Sequence, residues 1–176
     1  SSKPGFEYDQ VIRIDNDSGN NVKLDLNLRQ VAWRNTGRWQ AYELSPYDTT
    51  LLLDVDYLVL DSSLLTLLST NHDYLLQYHA VSEHGACYQM MGETSLPFVW
   101  ATTVLFRRRP RTELFFQLVA RIQRNYNYYR ALYNIQERNY RNEYAFAIAN
   151  VILNGYVIDT ANSIQRPMFK IGRAHV

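Results

Sequence analysis

An α/β sandwich is the fold this sequence predicts, and three observations predict it. Short apolar runs at 49–53, 75–82 and 99–106 read as strands, the first of them, TTLLL, as one buried on both faces. Two later segments, 112–136 and 140–153, repeat apolar residues at helical spacing. Strands that alternate with helices pack as a sheet under helical layers. With 176 residues, 47% hydrophobic and 20% charged, the chain is long and apolar enough for one core.

In chain order, a short strand at 11–14 precedes the Asn/Asp/Gly cluster 15–21, which reads as a loop. Residues 28–44 carry Arg29, Arg34, Arg38, Trp33 and Trp39 among apolar positions, a short helix stopped by Ser45-Pro46. After the strand 49–53, Asp61-Ser62-Ser63 offers an N-cap for a helix over 64–68. The strand 75–82 leads into an irregular excursion, 83–97, that holds two glycines and Pro97. The strand 99–106 ends at the basic turn RRRPR, 107–111. In the helix 112–136, Phe115, Leu118, Val119, Ile122, Tyr126, Tyr129 and Tyr133 share one face, so they belong to the core. The same spacing assigns the interleaved arginines to a solvated face and not to a nucleic-acid surface. The helix 140–153 stops near Gly155, a C-cap candidate.

A net charge of +1 favours neither nucleic acid nor an acidic surface as partner. The single Cys87 leaves no internal disulfide framework and suits a reducing compartment. There is no apolar run near the roughly 20 residues of a membrane span, and no signal-peptide pattern. A cytoplasmic location is expected. Residues 1–170 are expected to form one domain. The last six residues, IGRAHV, match the translation of a common sequencing-library adapter, so 171–176 is expected to be a non-native tail. His175 is therefore not considered as a ligand.

The chemistry centres on YDTTLLLDVDYLVLD, 47–61, where Asp54 and Asp56 interrupt an apolar run. A buried, unpaired carboxylate is very costly, so the pair is expected where the strand leaves the core. Residues two apart in an extended segment point the same way, and two such carboxylates repel unless a cation sits beside them. Mg²⁺ or Mn²⁺ suits hard oxygen ligands and bridges a few carboxylates to substrate phosphates. The carboxyl ends of strands are where open α/β sheets bind ligands. The alternative is a solvated Asp-x-Asp turn.

The stretch Ser45-Pro46-Tyr47-Asp48-Thr49-Thr50-Leu51-Leu52-Leu53-Asp54-Val55-Asp56-Tyr57-Leu58-Val59 resembles the strand and DxD motif of GT-A-fold glycosyltransferases. The likeness is to nucleotide-diphospho-sugar transferase-like proteins of phage and environmental type. It implies a three-layer sandwich with a mixed, mainly parallel sheet, incomplete at the N-terminus. It further implies a metal-dependent transfer of sugar from a nucleotide-diphosphate donor to an unknown acceptor. Asp54 and Asp56 would both meet the donor and the metal, with Mn²⁺ or Mg²⁺ as cofactor. For a phage protein the location becomes the host cytoplasm. A GT-A-like module without catalysis is the alternative.

Other candidates follow from position. Arg29, Arg34 and Arg38 precede the motif strand, where an arginine can grip a diphosphate; Arg34 and Arg38 are assigned to the donor. Trp100 is the acceptor-side candidate, with core packing as its other explanation. Glu143, where related transferases carry an acid near the acceptor, is the catalytic candidate; a first-turn acid favoured by the helix dipole is the other. Asn71-His72-Asp73 could supply a metal ligand but reads as a solvated turn; His79 and His84 form no metal motif, and Arg107 to Arg111 read as a solvated basic turn.

Overall fold

One strand organises the fold, and both of its neighbours run against it. In the computed structural model the described residues are 8–14, 21–24, 27, 29–32, 35–55, 59, 62–78, 80–81, 87–88, 90–91, 93–157 and 161–164. Strands β1 (Val22–Leu24) and β2 (Gln30–Ala32) pair as a separate antiparallel hairpin. A 3₁₀ turn, Arg38–Gln40, runs into the one-turn helix α1 (Ala41–Leu44), which stops at the extended Ser45 before Pro46. The main sheet comprises β3 (Thr49–Leu53), β4 (Tyr74–Tyr78) and β7 (Val99–Arg107), in the order β3-β7-β4. Between β4 and β7 lie the two-residue strands β5 (Ala80–Val81) and β6 (Cys87–Tyr88), paired with each other. Helices α2 (Pro110–Arg124), α3 (Tyr126–Leu132) and α4 (Asn142–Leu153) follow.

The mixed α/β class is what the alternating runs predicted; the expected mainly parallel sheet is corrected. Both described pairings in the main sheet are antiparallel, because β7 lies between β3 and β4 and opposes each. It follows that β3 and β4 point the same way. A parallel bridge, Leu76 to Ser163, adds the chain beyond α4 beside β4. That bridge is closed by Leu76 N–H to the Asn162 carbonyl and Ile164 N–H to the Leu76 carbonyl, each 2.9 Å.

Alternation along the strands separates two apolar layers. Leu52, Tyr74, Leu76, Val104 and Phe106 face α2 and α4, where Phe115, Phe116, Val119, Ile122 and Phe146 complete the larger core. Leu51, Leu53, Leu75 and Leu105 face the other way, toward Leu64, Leu67 and Ile164. Leu64 and Leu67 belong to a 3₁₀ helix, Ser62–Ser69, where the sequence predicted a helix over 64–68. β3 is only half-buried, not buried on both faces, because among the described residues it pairs with β7 alone.

Two further expectations are corrected. The predicted strand 11–14 has no ladder partner among the described residues and is exposed throughout. The single helix 112–136 is two helices broken at Asn125, whose side chain donates to the Arg121 carbonyl at 2.9 Å. An asparagine that satisfies its own helix's carbonyls favours a cap over continuation. Most of the predicted stripe is nonetheless buried, including Phe115, Val119, Ile122, Tyr126 and Tyr129. No helix among the described residues is long and apolar enough to cross a membrane.

Candidate functional site

Asp54 stands one residue past β3, at the carboxyl end of that strand. Its N–H donates to the Thr102 carbonyl at 3.1 Å, so the ladder with β7 runs one step beyond the strand. By alternation from Leu52 its side chain lies on the helix-covered face. Here β7 bulges: Leu76 opposes Val104 but Gln77 opposes Trp100, so residues 101–103 lack β4 partners. Bulges free backbone groups and re-aim side chains at sheet edges. The Ala101 carbonyl so freed accepts from Arg38 Nη1, while Arg38 Nη2 pairs with Asp54 Oδ1. The Arg38 side chain is 8% exposed and that of Asp54 25%. The guanidinium is thus buried, and the carboxylate keeps an open side.

Three anchors explain how a residue so far ahead of the motif reaches it. Gln123 Nε2 of α2 donates to the Thr36 carbonyl at 3.0 Å, and Arg124 lies 5.4 Å from the Trp39 ring centroid. Asn142 Nδ2, at the start of α4, donates to the Asn35 carbonyl at 2.7 Å. The segment 35–39 is therefore held against both helices, and Arg38 turns toward the sheet.

The same anchoring brings Glu143 to this end of the molecule. It sits half-buried in the first turn of α4, next to Asn142. Tyr140, fully buried, donates its hydroxyl to Asn142 Oδ1 at 3.2 Å. Burial pushes the Tyr140 phenol well above its ordinary range; the Glu143 and Tyr126 charges push it further, and Arg38 partly opposes them. Glu143 and Arg38 thus both act electrostatically on one buried hydroxyl. Trp100 is half-buried on β7, one residue before the Ala101 carbonyl, with its ring 5.4 Å from that of Phe98. It is neither a fully buried core residue nor a freely exposed one.

Of the predicted site residues, the structure brings Asp54 and Arg38 into contact; Trp100 precedes the Ala101 carbonyl that Arg38 meets, and Glu143 shares with Arg38 an electrostatic effect on Tyr140. Asp56 and Arg34 lie outside the described residues, as do His79 and His84. Arg29 is exposed beside the β1–β2 hairpin. Among the described residues there is no group of three or more His, Cys, Asp or Glu side chains arranged around one point. Asp54, with its open side, is a described carboxylate at this edge that a divalent ion could use. Such an ion needs only one or two carboxylates when substrate phosphates complete its shell.

The basic turn is exposed at Arg108 and Arg111, as expected of a solvated turn, and it also has structural work. Arg107 donates to the His72 and Leu68 carbonyls at 2.6 and 2.8 Å. Arg109 holds Asp73 at 2.9 Å and Asn71 Oδ1 at 2.8 Å. These clamps join β7 to the turn before β4, at the sheet end away from Asp54. Burial, with the Arg109 charge beside it, holds the Arg107 guanidinium below its ordinary range, and Asp73 counters part of this.

The residues that sequence reasoning missed are Tyr140, Asn142, Ala101 and Thr102. Asn142 before an apolar helix had a visible signal as a residue suited to helix starts. The Ala101 carbonyl had none, since its role comes from a bulge. Comparisons of the chain with protein-family models, with curated proteins and with solved structures found no match.

Proposed function

We propose that this chain is a metal-dependent glycosyltransferase domain that moves a sugar from a nucleotide-diphosphate donor to an acceptor. The observation that carries the reading is Asp54: a partly open carboxylate at the carboxyl end of a half-buried strand, on the helix-covered face. Asp54 and Asp56 would hold Mn²⁺ or Mg²⁺, which offsets the charge that builds on a leaving diphosphate. Arg38 would share itself between Asp54 and a donor phosphate, with Arg34 as a second donor cation. Trp100 offers a half-buried ring to a sugar, and Glu143 a carboxylate to an acceptor hydroxyl, as base or as hydrogen-bond partner. The common direction of β3 and β4, which end at one edge, supports a GT-A-like layered architecture. A cytoplasmic setting, a phage's host cytoplasm included, goes with this reading.

One observation favours a second reading, a GT-A-like module without catalysis. The Asp54 carboxylate already has an internal counter-ion in Arg38, so the edge is electrostatically satisfied without metal. An assay of nucleoside-diphosphate release from UDP- and GDP-sugars with Mn²⁺ separates the two. Release that needs Mn²⁺ and disappears in Asp56→Ala supports the enzyme. No turnover of any donor with Mn²⁺ present leaves the module.

A further inference from the structure

The charge of Arg38 is fixed beside Asp54 by side chain and backbone alike. Its terminal nitrogens serve different acceptors, Nη1 the Ala101 carbonyl and Nη2 Asp54 Oδ1. The side chain is only 8% exposed, so turning away would strip a buried cation of its partners. The backbone around it is clamped as well. The Asn35 and Thr36 carbonyls accept from Asn142 and Gln123, and Arg124 lies over the Trp39 ring. These clamps come from α2 and α4, whose buried faces form the larger core. A cation held in this way stays in place when a ligand arrives.

Such a fixed charge decides which form of a divalent ion suits the edge. In the proposed glycosyltransferase, on which this inference rests, Asp54 and Asp56 hold the ion. Arg38 cancels one of their two charges, and Asp54 Oδ1 already accepts from it. Among the described residues no group of three or more His, Cys, Asp or Glu side chains restores the deficit. A bare divalent ion thus meets a single uncancelled carboxylate and a guanidinium of like charge beside it. That repulsion acts in a partly buried place, where salt screens it little. The same ion complexed with a nucleoside diphosphate carries net negative charge and presents phosphate oxygens. To this complex the guanidinium is an attraction, reinforced by charge-assisted hydrogen bonding.

We propose that Arg38 makes the Asp54 edge selective for a divalent ion already complexed with a diphosphate, and that it holds off the bare ion. The sign of the charge is what matters. A residue needed only for packing would, when replaced, weaken both forms together. A residue that selects by charge moves them in opposite directions.

The test is calorimetric titration of the full chain with Mn²⁺ alone and with the preformed Mn²⁺ complexes of UDP and GDP. Wild type should bind one of the complexes roughly tenfold or more tightly than Mn²⁺ alone. In Arg38→Gln, Mn²⁺ alone should bind about fivefold more tightly than in wild type, and that complex about tenfold more weakly. Arg38→Lys keeps the charge without the planar fork and should still prefer the complex. Melting curves show that each variant is folded, and the wild-type comparison stands without either variant. Two results overturn the proposal while the complex still binds wild type, so that the glycosyltransferase reading survives. One is wild-type chain that binds Mn²⁺ alone as tightly as the complex. The other is folded Arg38→Gln in which the two affinities do not move in opposite directions. Wild-type chain that binds neither Mn²⁺ nor its complexes overturns that reading and this proposal together.

Discussion

At the scale of single residues, Arg38 and Asp54 each explain the other's position. A guanidinium at 8% exposure is tolerated because a carboxylate and the Ala101 carbonyl both accept from it. Removing the cation alone leaves Asp54 partly buried and unpaired. Arg38→Ala should therefore lower stability by about 2 kcal/mol in urea unfolding, and Arg38→Ala with Asp54→Ala should recover part of that loss. Under the proposed function the guanidinium and a divalent cation draw on one carboxylate. Arg38→Gln should then bind Mn²⁺ more tightly than wild type in the absence of nucleotide; equal affinity by calorimetry means they do not compete. Tyr140 and Tyr126 supply a pH signature. Both phenols are raised above their ordinary value, mainly by burial. Below about pH 10 both are protonated whether the chain is folded or not, and no loss arises. Above it the unfolded chain releases protons that the folded one retains. Stability should therefore fall as the pH rises above 10, by at most about 1.4 kcal/mol per pH unit for the fully buried Tyr140 and by less for Tyr126. Tyr140→Phe should make that fall shallower in denaturation measured between about pH 10 and 11, with the raised Tyr126, Tyr133 and Tyr144 supplying the rest.

At the scale of elements, Asn150 ties three of them together. It accepts from the Tyr74 hydroxyl at 2.8 Å and from Asn162 Nδ2 at 3.0 Å, and donates to the Tyr78 hydroxyl at 2.6 Å. This joins α4 to β4 and to the segment that forms the parallel bridge. Asn150→Leu is nearly the same size but strands several buried polar groups, so it should cost about 3 kcal/mol in thermal or urea unfolding. Gly155 tests the end of α4 more gently. A Cβ there meets nothing within 4 Å, so Gly155→Ala carries only the left-handed backbone penalty, about 1 kcal/mol. Helix periodicity made α4 and its Gly155 cap legible in the sequence, because both depend on local spacing and one special residue. The break at Asn125 was not, since apolar spacing continues through it and only the side-chain bond to Arg121 decides. For β3 the boundaries were legible from TTLLL. Its partner and its edge position were not, because an apolar run is compatible with any neighbour.

At the scale of the whole molecule, the sheet joins two cores of unequal size. The aromatic layer under α2 and α4 includes Phe106, Phe115, Phe116 and Phe146, with ring centroids of neighbouring pairs 5.0 to 6.0 Å apart. The thinner aliphatic layer lies under the 3₁₀ helix. Strand direction escaped the sequence for a physical reason: it follows from which strand takes the centre, and β7 reaches that place only through long-range packing. The carboxylate at the end of β3 was legible because charge inside an apolar run demands an outlet. Its arginine partner was legible only as one of three candidates. The most direct measurement of the central claim is calorimetric binding of UDP and GDP to the full chain with and without Mn²⁺. Binding that requires Mn²⁺ and is lost in Asp54→Asn is expected, provided the variant's melting curve shows that it is folded. Nucleotide binding that ignores both Mn²⁺ and Asp54, or no binding of either nucleotide with Mn²⁺ present, would contradict it.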